Sequence, residues 1–268
     1  MTIVEGISLW LAVAGYALAF VALAATILVD RRALRATGWL LALGGWIAHS
    51  VAIVARWIAT GHAPVMGAYE HALSGAWFLP AIAAAVVRHH RPAARAIPFV
   101  LAATLLLLGN GMMGSPTLAP LEPPYRSNWL AVHVVFAWLA FGSYLVTSIL
   151  AGYHLVLTAR SGTAAGERPA LIDELAAKLV AFGFVSHSVM IASGAIWAHG
   201  LWGRYWAWDP IETWSLVSWL VYAVYLHLRF TLGWKGRRAS WVALGAVAGI
   251  VVVFFGIGAV SDVHTQLL

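Results

Sequence analysis

The sequence predicts an all-α, polytopic membrane helical bundle of eight transmembrane helices with an external tryptophan-rich loop. Composition is the first reason: of 268 residues, 62% are apolar and only 10% charged, against about 25% charged in ordinary soluble domains. Too few polar side chains remain to cover a water-facing surface. The second reason is length. Eight apolar stretches approach the ~20 residues that a helix needs to cross a ~30 Å hydrocarbon core. The third is a one-sided distribution of Lys and Arg between those stretches. Cysteine is absent, which excludes disulfides, thiolate metal sites and thiol chemistry of the chain's own. The net charge of +6 is spread over short clusters between apolar runs, so nucleic acid is not an expected partner and lipid is.

The predicted spans are 7–29, 38–60, 71–88, 96–113, 129–157, 175–198, 213–231 and 239–260, within a single integral membrane domain over 1–268. In lipid every backbone N–H and C=O must find a partner inside the protein, so runs of this length must be helical. The first stretch reads as a span rather than a cleavable signal, since no basic residue precedes it and it exceeds a signal core in length. Arg31, Arg32 and Arg35 follow span 1, and Arg88, Arg91 and Arg95 lie between spans 3 and 4. Arg160, Arg168 and Lys178 surround the connection from 5 to 6, and Arg229, Lys235, Arg237 and Arg238 join 7 to 8. If every span crosses once, all these clusters share one side, leaving Arg56, Arg126 and Arg204 for the other. The positive-inside rule then puts both termini outside the cytoplasm.

Three external connections, 61–70, 114–128 and 199–212, contain Pro64, Pro116, Pro120, Pro123, Pro124 and Pro210, which break helices and shape loops. The cytoplasmic segment 159–174 reads as a flexible polar linker. In the third external connection Trp197, Trp202, Trp206, Trp208 and Trp214 fall within eighteen residues, with Tyr205 among them. An interfacial aromatic belt would account for two or three of these. Five in one loop also suit a platform for a large flat ligand, because indole offers a wide π-face and one N–H donor. Asp209, Pro210 and Glu212 fit a helix start, with Asp as N-cap, Pro at the first helical position and Glu at the third. That reading makes the two acids architectural rather than catalytic.

WGRYWAWDPIETW followed by YLHLR resembles the WWD signature of haem-handling proteins of cytochrome c biogenesis, and within these the CcsA/ResC family of system II. PLEPPYRSNWLAVHV (120–134) and the chain end FFGIGAVSDVHTQL resemble the two segments that carry external haem-ligand histidines there, and PVMGAYE (64–70) resembles the family's Pro…Tyr-Glu stretch. Ile211 stands where the family usually has Lys, and Met66-Gly67 where it has Ser-Asn. The resemblance covers most of the chain and locates the WWD segment at about 197–219.

His133 lies one turn inside the outer end of span 5, four residues after Trp129 and on the same helix face, and His264 lies just beyond the outer end of span 8. Both sit at the depth of the tryptophan loop. Each taken alone also fits an interfacial histidine; the resemblance implies that they are the external axial ligands of haem iron. It further implies an inner-site role for His227 near the cytoplasmic side. Arg204 and Arg126 are candidates for the haem propionates, with Arg56 a third. Asp209, Trp202, Trp206, Trp208, Trp214 and Trp129 complete the expected haem-binding set.

By resemblance the cofactor is haem b, held non-covalently and in transit. It would be presented externally for thioether attachment to apocytochrome c, with the chain a subunit of a membrane haem lyase that has no catalytic residue of its own. A CcsB/ResB-like membrane subunit, apocytochrome c and a thiol-reducing thioredoxin-like protein are the implied partners, in the bacterial inner membrane or an equivalent organellar membrane. Haem delivery like that of CcmC or CcmF, or a membrane haem- or quinone-binding electron carrier, are the alternatives.

Overall fold

A computed structural model describes residues 1–29, 31–161 and 167–251. Among the described residues there are eight α-helices and no strands: α1 (Ile3–Leu28), α2 (Arg32–Thr60), α3 (Gly67–His89), α4 (Ile97–Gly111), α5 (Asn128–Ser161), α6 (Glu167–Trp202), α7 (Pro210–Phe230) and α8 (Arg237–Val251). A 3-10 turn, Arg91–Ala96, leads straight into α4. Six helices are long and apolar enough to cross a membrane: α1, α2, α3, α4 with its leading turn, α5 and α6. The chain is a multi-pass helical membrane bundle. α7 spans 21 residues but buries a wholly polar face, which lowers its apolarity. The remainder of the eighth predicted span, together with His264, lies outside the described residues.

Most helices extend beyond the apolar stretches that announce them at one end or both, because helical hydrogen bonding continues into the interface after hydropathy has fallen; α4 is the exception and falls short of its span at both ends. The clearest correction is the expected linker at 159–174. α5 runs to Ser161 and α6 already begins at Glu167, so most of that segment is helix. Glu167 in the first turn of α6 complements the positive end of the helix dipole.

Contacts divide the chain into two compact units, Met1–Arg126 and Ser127–Leu268, the second described as far as Val251. Each is a ring of four helices. In the first unit α1 packs on α2, α2 on α3, α3 on α4 and α4 back on α1. α1 and α2 meet through glycine: a Cβ added to Gly15 would lie 2.8 Å from the Gly45 Cα, so only glycine permits this approach of two backbones.

Polar groups inside the first unit are satisfied within it. The Tyr16 hydroxyl lies 3.2 Å from His49 Nδ1, and His49 Nε2 lies 2.8 Å from the Leu73 carbonyl. The carbonyl can only accept, so Nε2–H donates to it and Nδ1 accepts from the tyrosine. Arg56 is 2% exposed, yet its guanidinium is fully engaged. Its Nε donates to Glu70 at 2.8 Å, its Nη1 to Glu5 at 3.2 Å and the Pro116 carbonyl at 2.9 Å, and its Nη2 to the Thr117 carbonyl at 2.7 Å. The Tyr69 hydroxyl adds a bond to Glu5 at 2.9 Å, and the Met66 N–H donates to Glu70 at 2.8 Å. The Tyr-Glu stretch at 69–70 is therefore a structural knot, and Arg56, whose every nitrogen is bonded within the unit, is no propionate ligand.

Removing one member of such a buried ionic network leaves the rest uncompensated. Arg56→Met should destabilise the protein by about 3–5 kcal/mol in equilibrium unfolding from mixed micelles. Arg56→Lys should recover only part of this, because a single ammonium cannot reach all the acceptors. An unchanged unfolding curve for Arg56→Met would mean that the two carboxyls do not depend on the guanidinium.

Candidate functional site

In the second unit α5 packs on α6, α6 on α7, α7 on α8 and α8 back on α5. The start of α5, the end of α6 and the start of α7 meet at one end, and the tryptophan-rich segment caps it. His133, half-buried on the second turn of α5, points at α6. Its Nδ1 lies 2.9 Å from the Met190 carbonyl. Since the carbonyl only accepts, Nδ1 carries the proton, and Nε2 is the nitrogen with a lone pair to offer. Metal-binding histidines are oriented by this kind of bond.

Gly194 makes the contact possible. A Cβ at that position would stand 2.6 Å from His133 Nδ1, within the ring's own space. Trp197, one turn further along α6, lies over the imidazole with centroids 6.5 Å apart and planes inclined by 29°. Trp202 then meets Trp197 edge-on at 5.6 Å and 66°. His133, Trp197 and Trp202 thus form one continuous aromatic cluster.

The loop after α6 is held by its acids. Asp209 caps α7: its Oδ1 accepts the Glu212 N–H at 2.9 Å, and Pro210 occupies the first turn, as the sequence predicts. Glu212 does something further. Its Oε2 accepts the Ala207 N–H at 2.6 Å, two residues upstream of the cap. Trp208 is pinched between these two bonds with φ 60°, the one non-glycine residue with positive φ among those described. That conformation costs on the order of 1 kcal/mol for an L-residue. In return the Trp208 indole stands 71% exposed, while Trp206 beneath it is half-buried and meets it edge-on at 5.9 Å and 82°.

The expected platform is not a parallel stack. Its indoles pair edge to face, the arrangement their quadrupoles favour, and no flat sheet of rings forms among the described residues. Trp214, on α7 just after the cap, is 40% exposed, and Trp129, at the start of α5, is 48% exposed. Arg204 is exposed and makes no hydrogen bond or ion pair among the described residues, whereas Arg126 Nε is bonded to the Leu121 carbonyl at 3.1 Å within the first unit. His199 stacks on Tyr205 at 4.2 Å.

His227 sits on the exposed side of α7, facing away from the buried stripe of that helix, towards the end opposite the tryptophans. Two residues on, Arg229 turns inward. Its Nη1 donates to Asp173 at 2.7 Å and to the Trp234 carbonyl at 3.2 Å, and Asp173 also accepts the Gly236 N–H at 3.0 Å. Arg229 is thus committed to an internal pair, which its place in a basic cluster does not reveal. Sequence reasoning misses Asp173 as well, because it stands beside Glu174, which pairs with Lys178 at the surface, and nothing in the sequence says which of the two acids turns inward.

A family model described as cytochrome C assembly protein matches residues 32–264. The chain belongs to the cytochrome c assembly protein family. It is 35% identical over 241 residues to the cytochrome c biogenesis protein CcsA of Synechococcus sp. (strain CC9902), covering 76% of this chain and 78% of that one. To the CcsA of Synechococcus sp. (strain CC9311) it is 32% identical over 253 residues, covering 79% and 81%. Among solved structures, cytochrome c haem lyase CcmF shares the fold, with a TM-score of 0.73 at 18% identity over 95% of this chain. This chain spans about half of CcmF, 47% of its length. The family works in cytochrome c biogenesis, and so does this chain; the matches do not favour the electron-carrier reading.

The cap is directly testable. Asp209→Ala should lower stability by about 1 kcal/mol, seen as a lower unfolding midpoint in micelles. Asp209→Asn, which keeps the acceptor oxygen, should stay within a few tenths of wild type. Equal losses for both would mean that the charge of Asp209, and not its cap bond, matters.

Proposed function

We propose that this chain binds haem at the tryptophan-capped end of the second unit and presents it for covalent attachment to apocytochrome c. The observation that carries this reading is the His133 Nδ1–Met190 carbonyl bond, which aims a neutral imidazole through Nε2, as an axial ligand requires. His264 is the proposed second ligand. Haem b, non-covalent and in transit, is the substrate form, with its edges against Trp202, Trp206, Trp208 and Trp214 and a propionate on Arg204, the exposed cation of the loop. Trp129, on the same helix as His133, extends the apolar border.

The WWD assignment of the segment at 197–219 belongs to this proposal, and so does its position on the external side with both termini. Attachment adds a cysteine S–H of the Cys-x-x-Cys-His motif across a haem vinyl double bond. The new bond is C–S, and the hydrogen ends on the other vinyl carbon. Both reacting groups come from haem and apocytochrome, so this chain's part is orientation and exclusion of side reactions. Asp209 and Glu212 act as positioning residues that fix the tryptophan loop. His227 faces away from its own bundle, which suits a ligand shared with a second membrane subunit of the CcsB/ResB kind at an inner site.

The purified protein should carry non-covalent haem with a low-spin spectrum. His133→Ala and His264→Ala should each convert it to a high-spin form or lose it, and imidazole in the buffer should restore the low-spin bands. Bands unmoved by both substitutions would reject the axial pair. Gly194→Ala should weaken the spectrum too, by displacing His133, while leaving the unfolding midpoint less affected than Arg56→Met does.

Because the chain lacks cysteine, orientation can be read from single introduced thiols. Tyr205→Cys should react with a membrane-impermeant maleimide from outside intact cells, and Arg91→Cys only after permeabilisation. The reverse pattern would overturn the topology.

A further inference from the structure

α7 turns a polar face inward. Its buried residues are Ser215, Ser218, Tyr222, Tyr225 and Arg229, spaced three and four apart along one stripe. At ~1.5 Å of rise per residue, this stripe is about 21 Å long. Opposite it stand Tyr144 on α5 and His187 on α6, both buried, and Thr147, one turn after Tyr144, is buried too. The hydroxyls of Ser218, Tyr222, Tyr225, Tyr144 and Thr147, and His187 Nδ1, have no hydrogen-bond partner in the described protein.

Such a concentration of buried, unpaired polar groups in one seam is far from the usual condition, in which nearly every such group is paired. The first unit makes the contrast, since Tyr16 and His49, equally buried, bond to each other and to the chain. The seam is anchored at both ends. At one, His187 Nε2 lies 3.2 Å from the Ser215 hydroxyl; at the other stand the Arg229–Asp173 pair and His154, whose Nδ1 lies 2.9 Å from the Ser240 hydroxyl. Between them the Tyr144 and Tyr222 rings lie face to face, 3.4 Å apart and 4° from parallel. Gly183 makes room for Tyr144, because a Cβ there would come within 2.7 Å of its Cε1.

We propose that this seam holds a chain of bound water that gives protons a path between the Asp173–Arg229 pair and His187. Water is the ligand class that fits. It donates and accepts, and it satisfies two to four groups at once. The titratable groups facing the path are Tyr144 and His154 on α5, Asp173 and His187 on α6, and Tyr222, Tyr225 and Arg229 on α7. Its upper end lies one helical turn of α6 from Met190, the residue that orients His133. If the proposed haem site stands, the path gives that site a proton route that does not pass through the tryptophan loop. The path itself does not depend on haem, so the two readings fail separately.

The test uses wild-type protein in detergent and two mass-spectrometric readouts with internal controls. X-ray hydroxyl-radical labelling should modify Tyr144, Tyr222 and Tyr225 about tenfold faster than Tyr16, since radicals form from water beside the target. All four are at most 2% exposed, so accessibility alone predicts equal labelling. Deuterium exchange at the imidazole C2–H should likewise be faster at His187 than at His49, both of which are 0% exposed. Matching slow rates within both pairs would show a dry seam and overturn the proposal. Continuity is read in Ser218→Val, which should slow His187 exchange to the rate of His49 while Tyr225 still labels. Unchanged His187 exchange in that variant would overturn the path.

Discussion

The ligand role proposed for His133 requires a ring that is not free to turn, and the hydrogen bond from its Nδ1 to the Met190 carbonyl holds it. A carbonyl inside a helix accepts one bond from four residues on and can share its second lone pair; that of Met190 also takes the Ser193 hydroxyl at 3.1 Å. α6 offers that lone pair to α5, but only where the two helices approach closely. The approach depends on Gly194, where any side chain would occupy the imidazole's place. Tautomer, ring direction and helix spacing are therefore one constraint. Trp197 lies over the ring because α6 is already fixed at that distance, and the loop that follows inherits its starting point from the same contact.

The loop adds a second fixed point at its other end. Asp209 holds the first turn of α7, and Glu212 reaches back to the Ala207 N–H, so the backbone between them has little freedom. Trp208 takes a left-handed conformation as a result. Strain of this kind persists only where surrounding bonds over-determine it, and it gathers at sites that act on ligands. What the strain achieves here is separation: of two neighbouring tryptophans, Trp206 ends half-buried and Trp208 is held out in the open. An unstrained extended loop would place both on the same side of the chain.

Much of this architecture is legible in the amino-acid sequence. Eight helices follow from the apolar runs, and the α7 cap from Asp209-Pro210, because both signals are local. His133 is singled out as a candidate by its place near a span end and by the family pattern around it. The bonds that define the site are not. Met190 lies 57 residues beyond His133, and Gly194 one turn further on. Neither carries a mark that distinguishes it from other apolar residues of a membrane helix. Arg56 shows the same limit from the other direction. Its charge near a span end suggests a ligand for carboxylates, which it is; the carboxylates are Glu5 and Glu70 of its own unit. Edge-to-face pairing of the indoles cannot be read from tryptophan count, since spacing along a loop does not fix ring angles.

The two units differ in how they handle polarity inside lipid, and the difference bears on what each is for. The first is internally complete: Arg56 meets two carboxylates and two carbonyls, and His49 uses both nitrogens. Among the described residues the second leaves a row of hydroxyls and one imidazole nitrogen without protein partners. Folding alone does not favour such a row, because phenylalanine and alanine at the same positions would pack without the cost of orphaned polar atoms. Its persistence along α7, whose buried side chains all carry a polar atom, makes sense if that face does work that a sealed bundle cannot.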